Sequence, residues 1–169
     1  MFSPVLLATI RSMEALALTP SKVRLVIAGP PDHPADASRL RQLVEEHGLG
    51  DRVLLDLGFL PRAVIAQYVN RAAAIACLPY DEDSLSYVAM EGAAAGKPLL
   101  TTTDSGGVLG LVRHLETGWL ADPSPGSIAA GLEALASETP RTTAMGQSAR
   151  DLWLQLGSSW PHVVDRLLS

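Results

Sequence analysis

The sequence predicts an α/β fold, an open doubly wound parallel sheet, and three observations predict it. Short apolar, often β-branched runs alternate with segments of helical period along the whole chain. The connections between them are short, which makes successive strands parallel and joins them by right-handed crossovers. Glycine and proline stand at segment ends: Gly48 and Gly96 just past helical patterns, Pro61 at the start of one.

The elements follow in order. Residues 4–18 carry apolar side chains at Val5, Leu6, Ile10, Met13 and Ala17 and read as an amphipathic helix, which Pro20 and Ser21 stop. VRLVIAG, residues 23–29, is a buried strand ending in glycine. Residues 35–47 form a helix with Leu40, Leu43 and Val44 on one face. Residues 52–58 are the next strand, and a helix begins at Pro61. Residues 73–79 are a strand, 86–95 a helix, and 97–103 a strand. Gly106 and Gly107 open a short helix running to about His114. TGWLAD is a short strand, residues 124–137 and 139–156 are helices, and residues 160–168 form a last short helix.

Length and composition narrow the function. A chain of 169 residues suits one domain, and 47% hydrophobic against 18% charged residues is enough for a core. The net charge of -5, with no basic run longer than two residues, argues against a nucleic-acid surface. A small anion is still admissible, because backbone N–H groups at a helix start can hold it. Cys77 is the only cysteine, so an intrachain disulfide is impossible; it lies in an apolar run and reads as a buried, inert thiol. His33, His47, His114 and His162 lack ligand spacing, so no metal site is assigned. The first residues lack a basic n-region and are interrupted by Arg11, so they read as a core helix rather than a signal peptide. No apolar stretch approaches the roughly 20 residues of a membrane span. A cytoplasmic location is the expectation.

In an open parallel sheet, ligands bind outside the carboxyl ends of the strands. That rule selects residues 29–35, 58–61, 79–86 and 103–108. The most informative stretch is PYDEDSLSYVAMEGAAAGKPLL, residues 79–100. An acid-rich loop runs into a helix whose start offers unpaired N–H groups and partial positive charge, where a diphosphate can dock. Asp83 and Glu91 can accept hydrogen bonds from hydroxyls flanking that diphosphate. The plainer reading is that Asp81, Glu82, Asp83 and Ser84 cap the helix, and both can hold together. In TTTDSGGVLGLV, residues 101–112, Gly106 and Gly107 admit close backbone approach beside a second possible anion or sugar site. Ser105 lacks a G-x-S-x-G setting, which rejects a serine hydrolase. GPPDHP, residues 29–34, lacks the dinucleotide fingerprint.

Together these stretches resemble the C-terminal domain of retaining glycosyltransferases with the GT-B fold, the glycosyl transferases group 1 family. The family's acid, seven residues, Glu pattern is kept by Asp83 and Glu91 around SLSYVAM, and AAAGKP follows. VRLVIAGPP, DRVLLDLGFLPR, AAAIACLPY, TTTDSGG and HLETGWLADP match the family's strand-and-loop signatures in order, over roughly residues 1–168. The resemblance implies a Rossmann-like, nucleotide-sugar-binding domain with no cofactor and no bound metal. It implies that Asp83 contacts donor-sugar hydroxyls and Glu91 the ribose. The loop from Ser84 through Leu85 and Ser86 to Tyr87 would supply N–H groups to sugar and diphosphate. Gly58, Phe59 and Leu60 would lie by the base. The reaction implied is retaining transfer of a hexose from a UDP- or GDP-linked donor.

The chain departs from the family in three places. Asp83 stands for the usual Glu. Leu85–Ser86 stand for an aromatic–Gly pair, and Ser86 is strained if its φ is positive. The family's first strand, with its Arg and Lys for the diphosphate, has no counterpart, and neither Arg11 nor Lys22 is at a matching position. The N-terminal acceptor domain has none either. No residue is therefore assigned as catalytic, and this chain alone is expected to be inactive. In the family the first strand lies between those expected here at residues 23–28 and 74–78. Without it, buried backbone groups go unpaired, at roughly 1–3 kcal/mol each, unless the two strands close up or another chain donates a strand by self-association. The alternatives are a non-catalytic nucleotide- or partner-binding module of the same fold and a related sugar-nucleotide epimerase, for which no acid–base set is visible.

Overall fold

The computed structural model describes residues 4–20, 22–137 and 139–156; the helix expected at residues 160–168 lies outside them. The elements run α1 (Pro4–Leu18), β1 (Leu25–Ala28), α2 (Pro34–Glu46), β2 (Val53–Asp56), α3 (Arg62–Arg71), β3 (Ile75–Ala76), α4 (Tyr87–Ala94), β4 (Leu99–Thr102), a 3-10 turn (Gly107–Gly110), β5 (Gly118–Ala121), α5 (Pro125–Ser137) and α6 (Thr139–Gln155). The expected alternation is present, and every strand pair is parallel. The helix expected from residue 106 to about 114 contracts to the 3-10 turn. Its continuation is stopped by Thr117, whose hydroxyl accepts from the Arg113 amide at 2.8 Å and donates to the Leu111 carbonyl at 2.8 Å.

The strands make two sheets, β1–β2 and β3–β4–β5, with no pairing between β1 and β3 among the described residues. The two strands flanking the expected gap have therefore not closed up. β4 sits at the centre of the larger sheet and is apolar or hydroxyl-bearing throughout. Leu99, Leu100, Thr101 and Thr102 are all at most 1% exposed, which a parallel strand needs when helices cover both faces. Leu78, Leu100 and Ala121 pack with Ala15 of α1 and with Ile128, Ala129 and Leu135 of α5. On the other face, Cys77 and Leu99 pack with Ala89 and Ala93 of α4, with Val108 and Leu111 at the 3-10 turn, and with Ala149 of α6. Each fully buried leucine contributes about 1.5–3 kcal/mol.

The smaller sheet is covered on one face. Leu25, Ile27, Val53 and Leu55 meet a cluster of Leu6, Met13 and Leu16 from α1 with Leu40 and Leu43 from α2. Arg52 ties the α1–β1 connection, donating to the Val23 and Thr19 carbonyls and the Thr19 hydroxyl at 2.8–3.1 Å. On the opposite face Val26 and Leu54, register partners, remain 43% and 50% exposed. α3 contributes no buried residue; Tyr68 links it to the end of β2 by donating to the Asp56 carboxylate at 2.8 Å.

Candidate functional site

Parallel pairing puts the loops after β3 and β4 at the same edge, and the backbone locks them together. The Asp81 amide donates to the Asp104 carbonyl at 2.8 Å, and the Gly107 amide donates to the Glu82 carbonyl at 2.7 Å. Glu82 and Gly106 form a parallel bridge. Both glycines are required. A Cβ on Gly106, whose φ is 71°, would come within 2.3 Å of the Glu82 carbonyl oxygen, and one on Gly107 within 2.6 Å of that of Ser84. The two stretches singled out in the sequence are thus one structure. Beneath them the Ser105 hydroxyl donates to the Pro79 carbonyl at 3.1 Å and shares a hydrogen bond of 2.8 Å with the Thr102 hydroxyl. These buried hydroxyls fasten the end of β4 to the end of β3 and leave no polar group among them unsatisfied.

The acidic residues do not cap α4, which corrects the capping alternative. The N-cap is Ser86, whose side chain makes no cap hydrogen bond. The Ser84 hydroxyl instead donates to the Glu82 carboxylate at 3.1 Å. Asp81 takes a left-handed conformation with φ of 45°, which Asp tolerates better than most residues and which gathers at functional loops. Ser86 has φ of −58°, so the strain expected for a serine in place of glycine is absent. Its hydroxyl faces the buried Cys77 thiol. Burial pushes that thiol up from its ordinary range, while hydrogen bonds from Ser86 and the Ala89 amide pull the other way. Cys77 is therefore protonated at neutral pH and inert, as expected.

Asp83 and Ser84 are exposed in the loop, and Leu85 and Ser86 are half-buried, Leu85 against the core of the larger sheet. Tyr87 opens α4 with 81% of its surface exposed. Glu91 is exposed four residues further along the helix, about 6 Å along its axis. Gly58 and Phe59 are exposed and Leu60 half-buried in the loop from β2 to α3, with Phe59 at 93% exposure. Asp83, Ser84 and the glycine pair thus meet in one backbone-locked unit, whereas Gly58, Phe59 and Leu60 hang from the other sheet. Two cavities stand out elsewhere. One of about 60 Å³ adjoins the end of β1, between Thr9, Ile27 and Asp36. The other, about 260 Å³, lies by the starts of β3 and β4, between Ala73, Lys97 and Thr142. Neither is lined by Asp83 or Glu91; with Asp83, Ser84, Tyr87 and Glu91 all exposed, the candidate site is an open edge. No cluster of metal-ligating side chains occurs among the described residues, and no helix among them is long and apolar enough to cross a membrane.

One charged contact escaped the sequence reading. Arg11 of α1 reaches the Asp104 carboxylate with both terminal nitrogens, at 3.2 and 2.8 Å. Its guanidinium also lies 5.9 Å from the centre of the Tyr80 ring. A lone arginine inside an apolar helical stripe was the available signal.

Comparison with known proteins gives the family and the fold. The sequence is 29% identical over 167 residues to the D-inositol 3-phosphate glycosyltransferase of Jonesia denitrificans, covering 96% of this chain and 37% of that protein. It is 33% identical over 153 residues to the enzyme of the same name from Gordonia bronchialis, covering 86% and 31%. The chain thus spans about a third of the length of these relatives. Among solved structures, Anabaena HepE in complex with UDP and glucose superposes with a TM-score of 0.76 at 26% identity, over 86% of this chain and 39% of HepE. The C-terminal domain of LpcC from Francisella tularensis, at 23% identity, shares the fold with a TM-score of 0.72 over 87% of this chain and 77% of that domain. Residues 8–152 match the sequence pattern of the glycosyl transferases group 1 family, and the chain belongs to that family, with the Rossmann-like fold of a GT-B C-terminal domain.

Proposed function

We propose that this chain is the donor-binding domain of a retaining glycosyltransferase that moves a hexose from a nucleoside diphosphate sugar to an acceptor. The observation that carries the reading is the locked pair of loops, 80–86 and 104–107, set before an α4 amino end whose N-cap side chain makes no cap hydrogen bond. The first-turn amides of Tyr87 and Val88 and the positive end of the helix favour a diphosphate there. Asp83 then accepts from hexose hydroxyls, with backbone amides of Ser84, Leu85, Ser86 and Tyr87 alongside. Glu91 accepts from the ribose, and Gly58, Phe59 and Leu60 border the base, with the exposed Phe59 ring as a stacking face. UDP is favoured over GDP because HepE, at 26% identity, is described with UDP, UDP-glucose and glucose. No residue of this chain is proposed as catalytic, and no metal or cofactor is invoked.

An open edge needs a second wall before a sugar is shielded from water. We assign that wall to an N-terminal acceptor domain, in keeping with the third of the relatives' length that this chain spans. The unpaired edges of β1 and β3 would take a strand from that larger protein or, in the isolated chain, from a second copy. A cytoplasmic setting fits a soluble donor.

Calorimetry with UDP, GDP and their sugars tests the reading. UDP binds, Glu91→Ala abolishes binding, and Glu45→Ala, an exposed change on α2, leaves it intact. A folded sample that binds no nucleotide would indicate a non-catalytic module instead. A monomer by light scattering at all concentrations would remove the second-copy strand.

A further inference from the structure

The contact between Arg11 and Asp104 joins residues 93 apart in sequence. Both side chains are mostly covered, at 15% and 23% exposure, so solvent screens the pair less than a surface ion pair. The two-nitrogen fork onto one carboxylate fixes direction as well as distance. Burial alone would push the Asp104 carboxyl up. Hydrogen bonds from Arg11 and Thr102, with the Arg11 charge, outweigh it and hold the group below its ordinary value, so it is ionised at neutral pH.

What Asp104 touches is more informative than the pair itself. Its carbonyl accepts from Asp81, the residue held in a left-handed conformation at the start of the acidic loop. The next residue, Ser105, fastens the end of β3, and the two after that receive the backbone of Glu82 to Ser84. Arg11 also reaches the ring of Tyr80, the residue before Asp81. α1 does not need this pair to stay in place, since Leu6, Met13, Ala15 and Leu16 already bury it.

We propose that the Arg11–Asp104 pair is a latch from α1 onto the two loops, holding them in the arrangement that receives the donor diphosphate. Arg11 and Asp104 are thus positioning residues of the site. The inference rests on the donor-site reading above. An unlatched pair of loops must be ordered when the ligand binds, and that ordering is drawn from affinity.

The test uses the full chain, UDP calorimetry and amide hydrogen exchange. Arg11→Met and the near-isosteric Asp104→Asn each weaken UDP binding about tenfold, and the double variant is no weaker than the poorer single. Arg11→Lys, which keeps charge but loses the fork, falls between them and the native chain. Without UDP, the amides of Asp81 and Gly107 lose protection in Arg11→Met while those of Leu100 and Thr101 keep it. A lowered melting temperature with UDP affinity and loop protection unchanged would overturn the latch and leave a structural tie. If the native chain binds no UDP, the donor reading fails on its own. Exchange at Asp81 and Gly107 then decides the latch: lost protection supports it and unchanged protection overturns it.

Discussion

β4 and β1 are both four-residue parallel strands, yet they live in different surroundings. β4 has a strand on each side, α1 and α5 on one face, and α4 and α6 on the other. β1 has one strand partner and one covered face. Its Val26, beside Leu54, meets solvent, and α3 buries nothing. A parallel sheet is stable when both faces and both edges are occupied. The β3–β5 half covers both faces from within this chain and encloses β4 on both edges, while the outer edge of β3 stays open. The β1–β2 half meets that demand on one face only. The loops that would hold sugar and diphosphate hang from the half covered on both faces, and the loop beside the base hangs from the other.

The largest test of this contrast is a pair of truncations. Leu100→Ala should cost about 2–5 kcal/mol, because its neighbours cannot close the hole. Leu54→Ala should cost well under about 1 kcal/mol, because half of that side chain is already in water. Denaturant unfolding of the two variants measures both, and equal losses would abolish the distinction between the halves. A smaller effect, about 1–3 kcal/mol, is expected for Gly106→Ala. The new methyl meets the Glu82 carbonyl, and φ of 71° is unfavourable for alanine. Unfolding should report that loss and UDP calorimetry a parallel loss of binding. A variant that keeps native stability would show that the two loops can part without cost.

How much of this was legible in the sequence follows from what each feature depends on. β1, β2 and β4 announced themselves through local runs such as LVIA and LLTT ending in glycine or polar residues. Helix α2 announced itself through Leu40 and Leu43. The roles of the two loops were legible separately, but their union was not, because the contacts of Gly106 and Gly107 with Glu82 and Ser84 cross more than twenty residues. The capping alternative for Asp81 to Ser84 failed for the same reason: those residues answer to Gly106 and Asp104 rather than to the helix ahead of them. The division into two sheets was also hidden, since a strand's partner is not a property of its own residues. Arg11 was visible only as an interruption; that it met Asp104 depended on α1 and β4 being packed side by side.

The smallest effect concerns that same pair and reads through pH. Asp104 titrates near 3.8 when unfolded and lower than that in the folded chain. A lowered folded value means that the unfolded chain binds the proton more readily. The stabilisation is therefore complete above the unfolded value and disappears as pH falls through the folded one. Asp104→Asn should lower the melting temperature at neutral pH by no more than about 2–4 °C, corresponding to under about 1 kcal/mol after partial solvent screening. Between pH 7 and 5 that gap should stay constant, and it should narrow only below pH 3.8. Scanning both proteins across this range by calorimetry checks the sign. A gap that instead widens as pH falls from 7 through 5 would place the folded carboxyl above its unfolded value, so that burial rather than Arg11 dominates at Asp104. The pair would then cease to mark the half covered on both faces as the one that grips the site.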